Sequence, residues 1–127
     1  MLWLLLSACA LVQDSSMSTG EPGQAELHSL YPGLPPGAAL SKAQDIGEAL
    51  GWTACTRPEP GQLRCEDQGW RGEPDQVTIT VEPYGPRFSR VSLRSEGRSW
   101  LGSTHRHAQR LRAFCAAYEA ERGRVIP

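Results

Sequence analysis

Long apolar runs are missing from this chain. No stretch approaches the roughly 18 apolar residues that a membrane-spanning helix needs, which argues against a polytopic helical membrane protein. A charge surplus is missing as well. Thirteen basic and 14 acidic side chains leave a formal charge of −1, so the total gives no argument for a nucleic-acid partner. Enzyme signatures are equally scarce: the sequence holds no Gly-x-Ser-x-Gly, no Walker loop and no His-Glu-x-x-His. There is no Cys-x-x-Cys redox motif and no internal repeat. Catalysis is therefore not expected, and no cofactor is implied. What is present suits one domain: 127 residues, 39% hydrophobic and 21% charged, ordinary values for a globular chain. Thirteen glycines and 10 prolines exceed the usual share, enough for a linker but too few for disorder throughout.

The neutral total conceals an asymmetry. Through Tyr84 there are eleven acids against four bases, and from Gly85 onward nine arginines against three glutamates. Acidic and basic halves of one small fold pairing on its surface is the simplest account.

The first residues read Met1-Leu2-Trp3-Leu4-Leu5-Leu6-Ser7-Ala8-Cys9. An aliphatic residue, two small residues and then cysteine, Leu6-Ser7-Ala8-Cys9, resembles the lipobox of bacterial lipoprotein signal peptides. The resemblance implies that residues 1–8 are a signal peptide, cut before Cys9, with acylation of the Cys9 thiol and of the new terminus. Acyl chains on Cys9 would then replace the removed apolar segment as membrane anchor, and two or more chains hold stably where one does not. The sequence departs from the usual pattern in lacking Lys or Arg ahead of its short apolar run. With Ala10 rather than Asp after the cysteine, the resemblance implies the outer membrane as destination within the cell envelope. Residues 9–37 hold Gly20, Gly23, Gly33 and Gly37 with Pro22, Pro32, Pro35 and Pro36. So many breakers predict a flexible tether.

A folded domain is expected over residues 38–127. Ser41 and Gln44 form a capping-box pattern, with Ala43, Ile46, Ala49 and Leu50 at helical spacing and Gly51 as a stop. Residues 52–56 and 62–66 read as a hairpin about the Pro58-Glu59-Pro60-Gly61 turn. Residues 76–82 alternate, with Val77, Ile79 and Val81 on one face, and 87–94 return as a partner strand. The expected register sets Val77 opposite Leu93, Ile79 opposite Val91 and Val81 opposite Ser89. Residues 101–122 read as a closing helix. Leu101, Ala108, Leu111, Phe114, Cys115 and Tyr118 would face the core, with Arg106 and Arg110 on the far side and Gly123 as the stop. The order α-β-β-β-β-α predicts an α+β two-layer sandwich, a four-stranded antiparallel sheet with two helices on one face.

Few residues in this frame suggest chemistry. Outside the cytoplasm a disulfide is expected among Cys55, Cys65 and Cys115. Cys55 with Cys65 is favoured because they flank the turn symmetrically, while Cys115 is either a bridge partner or a buried thiol. A lone Cys-x9-Cys pair is poor zinc geometry. His105 and His107 point about 200° apart on a helix, so neither they nor His28 predict a metal site. Glu66, Asp67, Glu73 and Asp75 lie beside turn residues and read as solvated loop carboxylates. Arg90 and Arg94 should lie on the open face of the sheet, with Arg87 and Arg98 near the strand ends. These four are either neutralised by Glu82 and its neighbours or form an anion-recognition face. Such a face would take a lipid headgroup, an acidic glycan or an acidic envelope protein. The expectation is a lipid-anchored envelope domain that binds rather than catalyses. The alternative is a soluble secreted ligand-binding or inhibitor domain.

Overall fold

The computed structural model describes residues 11–20 and 27–122. The proposed signal peptide, Cys9 and the Gly123 stop lie outside them. The elements run β1 (Val12–Ser18), α1 (Pro36–Ala49), β2 (Thr53–Thr56), β3 (Gln62–Asp67), a short 3₁₀ turn (Trp70–Gly72), β4 (Asp75–Tyr84), β5 (Phe88–Trp100) and α2 (His105–Arg122). The five strands form one antiparallel sheet in the order β1-β5-β4-β3-β2, and both helices cover one of its faces. The class is α+β as the sequence predicts, with five strands rather than four.

The added strand comes from the segment read as a tether. Val12–Ser18 alternates in burial, with Ser15 and Met17 inward, and pairs with β5 from Val12 opposite Trp100 to Ser18 opposite Arg94. Leu27 and Leu30 are buried too, and Leu30 forms a bridge with Val91. Among the described residues, Gly20 (φ 81°) sits at the turn after β1, and the breakers do not keep the described parts of the segment off the fold. The folded unit therefore begins well before residue 38.

Helix α1 starts at Pro36, five residues ahead of the expected Ser41, which is a solvent-facing interior position. A proline in the first turn gives up an amide that has no helical partner there, and its φ already suits a helix. The capping box is accordingly unused, while Gly51, at φ 97°, provides the stop.

The β4–β5 hairpin pairs Val77 with Ser95, Ile79 with Leu93 and Val81 with Val91. The expected register was two residues off, because the chain reverses over residues 85–87 with Tyr84 directly opposite Phe88. A two-residue slip keeps every side chain on its own face, so the inward set is as expected. β5 then continues to Trp100. Leu101 (φ 55°) and Gly102 (φ 67°) turn the chain, and α2 begins only at His105. Leu101 is consequently exposed, at 61%, instead of facing the core.

The core lies between sheet and helices. Met17, Leu63, Cys65, Val77, Ile79, Val81, Val91 and Leu93 contribute the sheet side. Ala39, Leu40, Ala43 and Ile46 come from α1, and Ala108, Leu111, Phe114 and Tyr118 from α2. Trp52, just ahead of β2, stacks on Phe114 at 5.4 Å between ring centroids. Its indole sits where a side chain at Gly47 would be, 2.5 Å from an added Cβ. Cys55 and Cys65 form a disulfide bridging β2 and β3, whereas Cys115 is a free thiol.

Candidate functional site

Two polar assemblies lie on opposite faces of the sheet, one buried beneath the helices and one on the open face. The buried one was not anticipated. Asp75 opens β4 on the helix-covered face and is 1% exposed. Arg106 grips its carboxylate with two bonds, Nε to Oδ2 at 2.6 Å and Nη2 to Oδ1 at 2.9 Å. Arg110, one helical turn on, donates from Nη1 to Oδ2 at 2.7 Å and from Nε to Asp67 Oδ2 at 2.7 Å. Its Nη2 reaches the Gln68 carbonyl at 2.8 Å.

Space for this carboxylate depends on two glycines. A Cβ at Gly97 would fall 1.9 Å from Asp75 Oδ1, and one at Gly69 would fall 2.7 Å from the same oxygen. Burial pushes the Asp75 carboxyl upward, but the bonds and charges of Arg106 and Arg110 outweigh it and hold the group below its ordinary value. Asp67 and Asp75 are thus not solvated loop acids, and Arg110 does not face away from the core. Helical spacing puts Arg106 and Arg110 on one face, and the two acids meet them where β3 ends and β4 begins.

His107 is fully buried next to this cluster. Its Nδ1 lies 2.7 Å from Ser95 Oγ and its Nε2 2.8 Å from Ser15 Oγ. Proton directions follow from the neighbours. Arg110 Nη1 donates to Ser95 Oγ at 2.8 Å, and Ser15 Oγ donates to the Gly97 carbonyl at 3.1 Å. Ser95 then donates to Nδ1, and Nε2–H donates to Ser15, whose oxygen also lies 2.7 Å from Ser99 Oγ. Neutral imidazole satisfies every member. A second ring proton would leave Nδ1–H and the Ser95 hydroxyl competing for one direction. Burial, and less strongly Arg106 and Arg110, push the His107 pKa down against the opposing pull of Asp75. Ser15, His107 and Asp75 are residue types used in acyl transfer. Here both ring nitrogens are committed, Asp75 Oδ2 stands 3.9 Å from Nδ1, and no face of the imidazole is exposed. The arrangement holds β1 to α2.

The open face presents alternate residues of each strand. Arg90, Arg94 and Arg98 all lie on it, while Arg87 sits in the β4–β5 turn. Arg90 donates to Glu82 Oε1 at 3.0 Å, a cross-strand pair exposed on both sides. Arg94 and Arg98 share a hollow of about 480 Å³ with Asp14, Ser16, Gln76 and Glu96, among others. The Arg94 guanidinium lies across β1, donating to Ser18 Oγ at 3.2 Å and Ser16 Oγ at 3.1 Å, with Glu96 at 3.8 Å. Among the described residues, the Arg98 guanidinium has no ion pair. Ser15 and Gly97 also line the hollow, and the Ser15 hydroxyl bonds His107 on the other face of the sheet.

Among the described residues no group of three or more His, Cys, Asp or Glu side chains could hold a metal ion. Cys115 is half-buried, and burial pushes its thiol up to about 11, which suppresses the reactive thiolate. No protein-family model matches the chain, and no curated protein matches it either.

Proposed function

We propose that this chain is an envelope lipoprotein, acylated at Cys9, that acts by binding an anionic group in the open-face hollow between Arg94 and Arg98. The observation that carries the binding reading is the state of those two guanidinium groups. Arg94 donates to two serine hydroxyls and has Glu96 at 3.8 Å, yet half of its side chain stays exposed to solvent. Arg98 brings a second cation that forms no ion pair among the described residues, although Asp14 stands opposite it on β1. Guanidinium groups match phosphate and carboxylate oxygens bidentately. Asp14, Ser16, Gln76 and Glu96 around them add acceptors and donors suited to hydroxyls. An acidic glycan offers both kinds of group and is the ligand class favoured. Binding is preferred to catalysis because the one serine–histidine arrangement described is sealed under the helices. Support for the anchor comes from Leu6-Ser7-Ala8-Cys9, and the Cys55–Cys65 disulfide fits an oxidising compartment.

Two experiments test this reading. Backbone amide shifts of soluble Cys9→Ser protein, titrated at low salt with a glucuronate-containing disaccharide and separately with inorganic phosphate, should move around Arg94, Arg98 and Gln76. Arg94→Gln with Arg98→Gln should abolish the shifts and leave Tm almost unchanged. Absence of shifts in the unsubstituted face overturns the binding site. Incorporation of labelled fatty acid by the unsubstituted chain but not by Cys9→Ser tests the anchor, and equal membrane fractionation of the two overturns it.

A further inference from the structure

The open face changes character at one end. Arg98 and Asp14 lie side by side there, and the next pair outward is Trp100 opposite Val12. Leu101 follows, with its amide bonded to the Leu11 carbonyl. Trp100 is 50% exposed, and Leu101, at 61%, is the most exposed large apolar side chain among the described residues. Leu101 also holds a left-handed backbone (φ 55°), which L-residues adopt at a cost. A strained leucine aimed at solvent serves no core.

Its position relative to the N-terminus gives the corner a meaning. Cys9 precedes Leu11 by two residues, and a chain spans at most about 3.6 Å per residue. An anchor at Cys9 is therefore tethered to Leu11 by only two residues of chain. Acyl chains on Cys9 would enter the bilayer next to Val12, Trp100 and Leu101. Tryptophan favours the membrane–water boundary, where its ring is half apolar and half wet.

We propose that the Val12–Trp100–Leu101 corner is a membrane-contact surface, inserted at the lipid–water boundary beside the Cys9 anchor. This inference rests on the acylation of Cys9 proposed above. Contact there would hold the domain close to the bilayer, with the Arg94–Arg98 hollow just above the headgroups.

Bromolipid quenching of tryptophan tests it. Acylated protein, cut before Cys9 and carrying Trp70→Phe, keeps Trp100 and the core residue Trp52, which is 3% exposed. In vesicles of dibrominated phosphatidylcholine it should lose the Trp100 emission, and adding Trp100→Phe should remove the quenchable component entirely. Leu101→Gly relieves the left-handed backbone, so it should fold at least as stably while quenching weakens. Fatty-acid labelling of the same samples separates the two readings. Label without Trp100 quenching overturns the corner alone, whereas no label overturns the anchor and the corner with it. If Trp100 is already shielded from acrylamide in vesicle-free Cys9→Ser protein, the chain itself or a second copy covers the corner, and the proposal falls.

Discussion

Asp75→Asn should be among the most damaging single changes in this protein. The substitution keeps the shape of the side chain and removes its charge. Arg106 loses a bidentate partner, but its side chain is 29% exposed and can turn to water. Arg110 is 6% exposed and cannot, so the cost falls chiefly there. Removing one member of a buried ion pair typically costs about 3–5 kcal/mol. Arg110 retains Asp67 and the Gln68 carbonyl, which places the expected loss near the low end, roughly 3 kcal/mol. For a chain of this size that is about 10–15 °C in Tm. Urea and thermal unfolding followed by circular dichroism measure it directly. Arg106→Met should cost clearly less, and Asp75→Asn with Arg110→Met should cost less than the two separate losses together. The pH dependence gives a second readout. Asp75 has its folded pKa held below the ordinary 3.8. Its stabilisation is therefore complete above that value and is lost as pH falls through the lower folded value. The Asn variant should lack this acid limb. A Tm within about 3 °C of the parent, or an unchanged acid limb, would refute the assignment of Asp75 as the hub of the cluster.

Three further expectations follow from the same structure. Gly97→Ala puts a methyl group into the Asp75 carboxylate and should destabilise by an amount comparable to Asp75→Asn; a neutral effect in chemical denaturation contradicts the close approach. Cys55→Ala with Cys65→Ala opens a short loop and should lower stability by about 2–3 kcal/mol, readable as a shifted urea midpoint, with an unchanged midpoint as the refuting result. His107 has a folded pKa below its ordinary 6.5, so the unfolded chain takes up a proton the native state refuses. Stability should fall as pH drops from the ordinary 6.5 toward the lower folded value. His107→Gln should flatten that slope between pH 7 and 5.5, and equal slopes would remove His107 from the account.

The sheet and its covering helices were legible because their signals are local. Val77, Ile79 and Val81 alternate, Leu111, Phe114 and Tyr118 recur at helical spacing, and Cys55 and Cys65 stand evenly about a turn. β1 was not legible for the opposite reason. Its partner residues lie 76 to 88 positions away, and only Met17 marks its inward side with a large apolar residue. The buried cluster escaped notice because charged and hydroxyl residues occupy inward positions. Ser95 and Ser99 continue the parity of Val91 and Leu93 along β5, and Arg106 and Arg110 share a helical face. Those two regularities were the available signals, and each needs the matching acid from a different element before it reads as a site. On the open face, alternation alone placed Arg90 and Arg94 correctly. Which arginine finds a carboxylate depends on neighbours across three strands, so Arg90 and Arg98 could not be told apart in advance.

The pairing of the first strand with the last imposes an order on folding. β2, β3, β4 and β5 follow one another through short turns and can zip together as each emerges. β1 has no place to dock until Arg94 through Trp100 exist, and the His107 bonds that hold Ser15 need α2 as well. Closing so long a loop is entropically costly and slow relative to local hairpins. A chain delivered N-terminus first must therefore keep residues 12–18 extended and unpaired until its C-terminal quarter arrives. A truncation before residue 94 strands that segment permanently, as an exposed edge open to pairing with another chain.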